Sequence, residues 1–154
     1  MPPNGHLEWR VAYVPGKLEA IGYDARGVRR LSNVVETTGA PQSLRVTPDR
    51  VNLRTDGADI AVIEVAVVDA AGRVVPDASH DVRFEVSGPA RLIGVGNGDP
   101  FSHEPDKADH RRAYCGLCQV LVQTTETAGQ VTMTATSTGL IQARIILRAA
   151  RGEQ

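Results

Sequence analysis

This chain of 154 residues has one tryptophan, three tyrosines, two phenylalanines and two cysteines, and its 17 basic side chains are nearly cancelled by 18 acidic ones. Each scarcity excludes something. A formal charge of -1 provides no field to hold a polyanion, so neither nucleic acid nor an anionic membrane is expected as a partner. No apolar run approaches the ~18 residues that a membrane helix needs. The start, Met1-Pro2-Pro3-Asn4-Gly5, has neither the basic opening nor the apolar middle of a signal peptide. Cys115 and Cys118 fall in one expected strand, where an odd spacing turns them to opposite faces, so a disulfide between them requires Gly116 to bulge the strand. This lone C-x-x-C, without a second pair or a thioredoxin-like context, reads as buried or half-buried free thiols.

Helix signals are almost absent as well. At 42% hydrophobic the chain can build a core, and its apolar residues recur at every second position with turn residues every 8 to 12. Leu7, Trp9, Val11 and Tyr13 alternate with polar neighbours as in a half-buried strand. Pro15-Gly16 leads into a second segment, Lys17 to Tyr23, and Asp24-Ala25-Arg26-Gly27 into a third, Val28 to Thr37. After Gly39-Ala40-Pro41, about seven strands are expected, at 43 to 47, 59 to 69, 81 to 87, 90 to 95, 113 to 125, 129 to 137 and 141 to 148. Three of these have one wet face, and Ile60 to Val68, apolar on both faces apart from Glu64, is expected to be central.

The pattern predicts an all-β chain: an immunoglobulin-like β-sandwich at residues 41 to 150, preceded by a partial, truncated β-domain at residues 1 to 39. Three strands cannot close a core alone. A chain that opens Met1-Pro2-Pro3-Asn4 and enters a strand at once is expected to be severed from upstream strands that would cover Trp9 and Tyr13.

The polar residues suggest no chemistry of their own. Carboxylates are scattered over turns and wet faces, whereas retaining glycoside hydrolysis needs two of them about 5 to 5.5 Å apart. His103, Glu104, Asp106, Asp109 and His110 are the densest group of metal-ligand types. Their spacing, with Pro105 between, fits neither His-Glu-x-x-His on a helix nor a calcium loop. Neither a metal nor a cofactor is expected. Gly94-x-Gly96-x-Gly98 lacks the following helix of a dinucleotide fingerprint, and Asn97-Gly98-Asp99-Pro100 reads as a tight turn. The stretch 97 to 111 is a polar loop long enough to suspect a role. Phe101 and Tyr114, which flank it, are the only aromatic platform on which a sugar ring could stack.

Several blocks of the sequence carry a resemblance: His6-Leu7-Glu8-Trp9-Arg10-Val11-Ala12-Tyr13, Pro15 to Tyr23, Thr37-Thr38-Gly39-Ala40-Pro41, Thr47-Pro48-Asp49-Arg50, Val75-Pro76-Asp77-Ala78, and the run Gly94-Val95-Gly96-Asn97-Gly98-Asp99-Pro100-Phe101-Ser102-His103-Glu104-Pro105. Together they resemble the C-terminal end of glycoside hydrolase family 2 enzymes of the β-galactosidase type. The resemblance implies a hydrolase of β-galactosides whose two catalytic glutamates lie on a (β/α)8 barrel upstream. Nothing in this chain matches either glutamate's motif, so the chain alone is expected to be inactive. The implied partners are the catalytic barrel and other domains of the parent glycosidase, with oligosaccharide as a further candidate. The implied role is to brace the barrel or to shape access to its site. A carbohydrate-binding module or a stand-alone adhesin-like sandwich are the alternatives. The candidate contact residues, for a neighbouring domain or for sugar, are Asn97, Asp99, Phe101, His103, Glu104 and Tyr114. Enzymes of this type that act on polymers are often exported, which favours the periplasm or the exterior over the cytoplasm.

Overall fold

The computed structural model describes residues 5–151. It contains strands and no helix, in two compact units, Met1–Thr37 and Thr38–Gln154.

The first unit is a hairpin, β1 (Lys17–Tyr23) antiparallel to β2 (Arg29–Glu36). Its turn is organised by Asp24, whose Oδ1 accepts the amides of Arg26 (2.8 Å) and Val28 (3.0 Å) while Oδ2 takes Arg30 Nε (2.9 Å). Donation by the Val28 amide, ahead of the other contacts, holds this carboxyl below its usual range. Gly27 supplies the positive φ of 76° that the turn requires. The expected strand over 6 to 13 is not formed. A strand exists only through a ladder, and these residues find no ladder partner among the described residues. Met1 to Asn4, where the sequence suggested severance from upstream strands, lie outside the described residues. Trp9 (67% exposed) and Tyr13 (79%) stand in solvent, as do Leu18, Leu31 and Val35.

The second unit is a two-sheet sandwich. One sheet has the order β4 (Asn52–Arg54), β11 (Ala143–Ala150), β10 (Gly129–Thr136), β6 (Asp81–Ser87), β8 (His110–Arg112). The other runs β3 (Ser43–Pro48), β5 (Ile60–Val68), β9 (Leu117–Thr124), β7 (Ala90–Gly96). All pairings are antiparallel except β4 with β11. The inward side chains Ile63, Val65, Val120 and Val122 belong to the same buried core as Val82, Phe84, Val131, Met133 and Leu147. The alternation that located β6, β10 and β11 in the sequence is therefore the alternation of core and water. β5 is central, between β3 and β9; on its outer face Ala66 and Val68 are buried, whereas Val62 and Glu64 are exposed.

Two short strands, β4 and β8, escape a periodicity reading because three residues hold too little alternation. The expected strand 113 to 125 is also divided. Tyr114 and Leu117 exchange backbone hydrogen bonds (2.8 and 3.0 Å) across a two-residue turn, Cys115-Gly116, with φ of 51° and 77°. Paired positive φ values are what a tight hairpin of this length needs. Both cysteines are free. Cys118 is buried, its thiol pushed up to about 12 by burial, whereas Cys115 is exposed, contrary to the expectation of a buried or half-buried thiol.

One buried carboxylate secures the turn after β5. Asp69 Oδ1 accepts the amides of Ala71 and Arg73 (both 2.9 Å), and Oδ2 accepts Gly39 N (2.8 Å) and Arg73 Nε (3.0 Å). These donors, the Gly39 amide first, lower its pKa from 3.8 to about 2. A depressed folded-state pKa means stability that is present above the unfolded value of 3.8 and lost as pH falls through about 2. The urea midpoint of the chain should accordingly fall between pH 4 and pH 2 more steeply than that of Asp69→Asn. Parallel declines would show that these bonds add nothing to stability.

Candidate functional site

The longest connection in the sandwich runs from the end of β7 at Gly96 to the start of β8 at His110. It contains five of the six candidate residues. Its ends are fixed to core strands by backbone bonds, Val95 N to Asp106 O (2.8 Å) and Phe84 N to Asp109 O (2.7 Å).

Between those anchors the chain turns on its own short polar side chains, as such residues favour. Asn97 Nδ2 donates to Arg112 O (2.8 Å), and its Oδ1 accepts Asp99 N (3.1 Å). Asp99 Oδ1 accepts Phe101 N (2.9 Å), and Asp99 O accepts Ser102 N (3.3 Å). Glu104 Oε1 accepts Arg112 N (3.3 Å), and Ser102 Oγ donates to Glu104 Oε2 (3.3 Å). Asn97, Asp99 and Phe101 are thus linked in consecutive turns, and Glu104 ties the far side of the loop to β8. The His103 imidazole is exposed and hydrogen-bonds no described residue. Phe101 is 83% exposed. Tyr114 is 43% exposed and lies against the turn, 3.8 Å from where a Cβ on Gly98 would sit.

One organiser of this loop goes unnoticed in a sequence reading. Arg111 pairs with Val82 across β8 and β6, so its side chain takes an inward register and is buried at 3% exposure. Its Nη1 donates to Ser102 Oγ (3.3 Å) and Glu104 O (3.1 Å), and its Nη2 to Val95 O (3.2 Å) and Asp106 Oδ1. The available signal was the alternation of Arg111 with Ala113, which puts an arginine in line with a core position.

Several of the site's ionisable groups engage one another. Glu104 Oε2 is 3.9 Å from Arg111 Nη1. Asp109 bonds the His110 ring (2.9 Å) and lies 3.5 Å from Arg83, and the His110 contact foremost lowers its pKa. The same contact raises that of His110. Among the described residues no three His, Cys, Asp or Glu side chains come together as a metal site requires. The arrangement displays an aromatic ring and a few polar groups from a rigid frame.

The family model described as glycoside hydrolase family 2 C-terminal domain 5 matches residues 44–146. The chain belongs to glycoside hydrolase family 2. Over 140 residues it is 39% identical to a β-galactosidase of Bacteroides ovatus, a match covering 91% of this chain and 16% of that protein. A β-glucuronidase of Formosa agariphila is 34% identical over 154 residues, which span 96% of this chain and 15% of the relative. Among solved structures, a family 2 glycosyl hydrolase from Bacteroides cellulosilyticus superposes with a TM-score of 0.90 at 29% identity, covering 93% of this chain and 18% of that one. The chain therefore spans about a sixth of the length of these curated relatives. It corresponds to a C-terminal domain of family 2 glycosidases.

The turn that carries Tyr114 depends on glycine. A Cβ on Gly116 would lie 2.4 Å from Val75 O, at a φ of 77° that L side chains seldom adopt. Gly116→Ala should lower stability by at least about 2 kcal/mol in urea titration. A change under about 0.5 kcal/mol would mean that the hairpin relaxes without cost.

Proposed function

We propose that this chain is the non-catalytic C-terminal region of a longer retaining glycosidase of the β-galactosidase type, and that its 97–111 loop touches the catalytic barrel, bracing it or shaping the entrance to its site. The observation that carries this reading is Phe101: a large apolar side chain, 83% exposed, that closes two consecutive hydrogen-bonded turns from Asn97. An aromatic held outward by a rigid frame is how interfaces present an anchor for a pocket. On the same reading, residues 1 to 39 are the end of a small β-sandwich domain, and its other strands cover Trp9, Tyr13 and Leu18, all exposed in this chain.

The relatives differ in substrate, one being a β-galactosidase and another a β-glucuronidase, and the choice of a galactoside follows the higher identity to the former. Sugar binding by the domain itself has Phe101 and Tyr114 in its favour, since a pyranose ring stacks on such faces.

The 154-residue chain alone should not turn over an aryl β-galactoside; turnover would refute a non-catalytic role. In the full-length glycosidase carrying this domain, Phe101→Ala should lower kcat/KM about tenfold while the domain stays folded. An unchanged kcat/KM, with oligosaccharide binding by the isolated chain that Phe101→Ala abolishes, would replace this reading by carbohydrate binding.

A further inference from the structure

We infer that Arg111 is the positioning residue of the 97–111 loop: its buried guanidinium holds residues 102–106 in one conformation and so presents Phe101 ready for the surface it meets. This rests on the docking role proposed above and adds which group sets the loop.

Order in this loop has few possible sources. From 97 to 111 every residue is exposed or half-buried except Arg111, and of the apolar side chains there Ala108 alone, a single methyl group, packs against the core. Between Gly96 and His110 there is no strand ladder. What remains is polar bonding, and Arg111 joins more of the loop than any other side chain here. It bonds Ser102 Oγ, the Glu104 carbonyl and the Asp106 carboxylate, and through Val95 O it fastens them to β7. A planar guanidinium suits this task because its donors point in fixed directions, which a lysine ammonium cannot reproduce. The arrangement is also self-consistent in charge. A buried cation is costly unless paired, and here the pairing carboxylate comes from the loop itself, so neutralising the cation and folding the loop are one event, while Nε stays buried without a partner among the described residues. Asp106 is 86% exposed and Phe101 83%, so the loop turns its outer side to solvent while the cation sits beneath. A loop ordered before contact loses less freedom on docking.

The test is amide hydrogen exchange on the 154-residue chain. In Arg111→Met, amides of residues 99–107 should exchange at least about tenfold faster while those of β5 and β9 keep their protection. Arg111→Lys, which keeps the charge and loses the fork, should fall between. Because a buried arginine can be needed for folding, the double variant Ser102→Ala/Asp106→Ala provides a second arm: it removes two acceptors, substitutes no buried residue, and should speed the same amides about threefold. Unchanged loop exchange in the double variant, or equal acceleration of loop and core amides in Arg111→Met, overturns the inference whatever Phe101 does. Selective loosening of the loop, combined with a full-length enzyme indifferent to Phe101→Ala, supports the clamp and refutes docking instead.

Discussion

Two facing sheets exclude water between them only if each strand offers one apolar face, and in this sandwich that requirement is met by Ile63, Val65, Val120 and Val122 on one side and Val82, Phe84, Val131, Met133 and Leu147 on the other. Everything functional hangs from this layer. β8 pairs with β6, so its middle residue must face inward, and that residue is Arg111. The cation lies where a hydrophobe would serve the core better, and its cost is offset by bonds to the loop above it. The loop's shape therefore follows from the register of one short strand.

The same layer sets what the domain can do. Retaining hydrolysis requires two carboxyl groups held about 5 to 5.5 Å apart with opposed protonation. Of the carboxylates in and beside the loop, Glu104 and Asp106 pair with Arg111, Asp109 bonds the His110 ring and lies beside Arg83, and Asp99 accepts the Phe101 amide. Membership in glycoside hydrolase family 2 and a span of about a sixth of its curated relatives agree with an accessory part of such an enzyme. On the proposed reading its contribution is a surface, displayed rigidly enough for another domain to rely on.

Much of this was legible in the residues. Alternation located β6, β10 and β11 because each has one wet face, and a continuous apolar run located β5. The resemblance to the family lay in several blocks, and one of them, the run Gly94 to Pro105, became the end of β7 and the loop. What was lost is what periodicity cannot carry. β4 and β8 are too short to alternate, and the pattern from Leu7 to Tyr13 alternates with no strand to pair with among the described residues. Cys115 and Gly116 share one tight turn that a continuous apolar pattern conceals. Arg111 was missed because a charged side chain is read as surface unless its register says otherwise.

The most direct test of the central claim is photocross-linking from position 101. With p-benzoylphenylalanine in place of Phe101 in the full-length glycosidase, irradiation and peptide mapping should locate the cross-links on the catalytic barrel of the same polypeptide. Cross-links confined to the sandwich, or to a second copy of the enzyme, would contradict it.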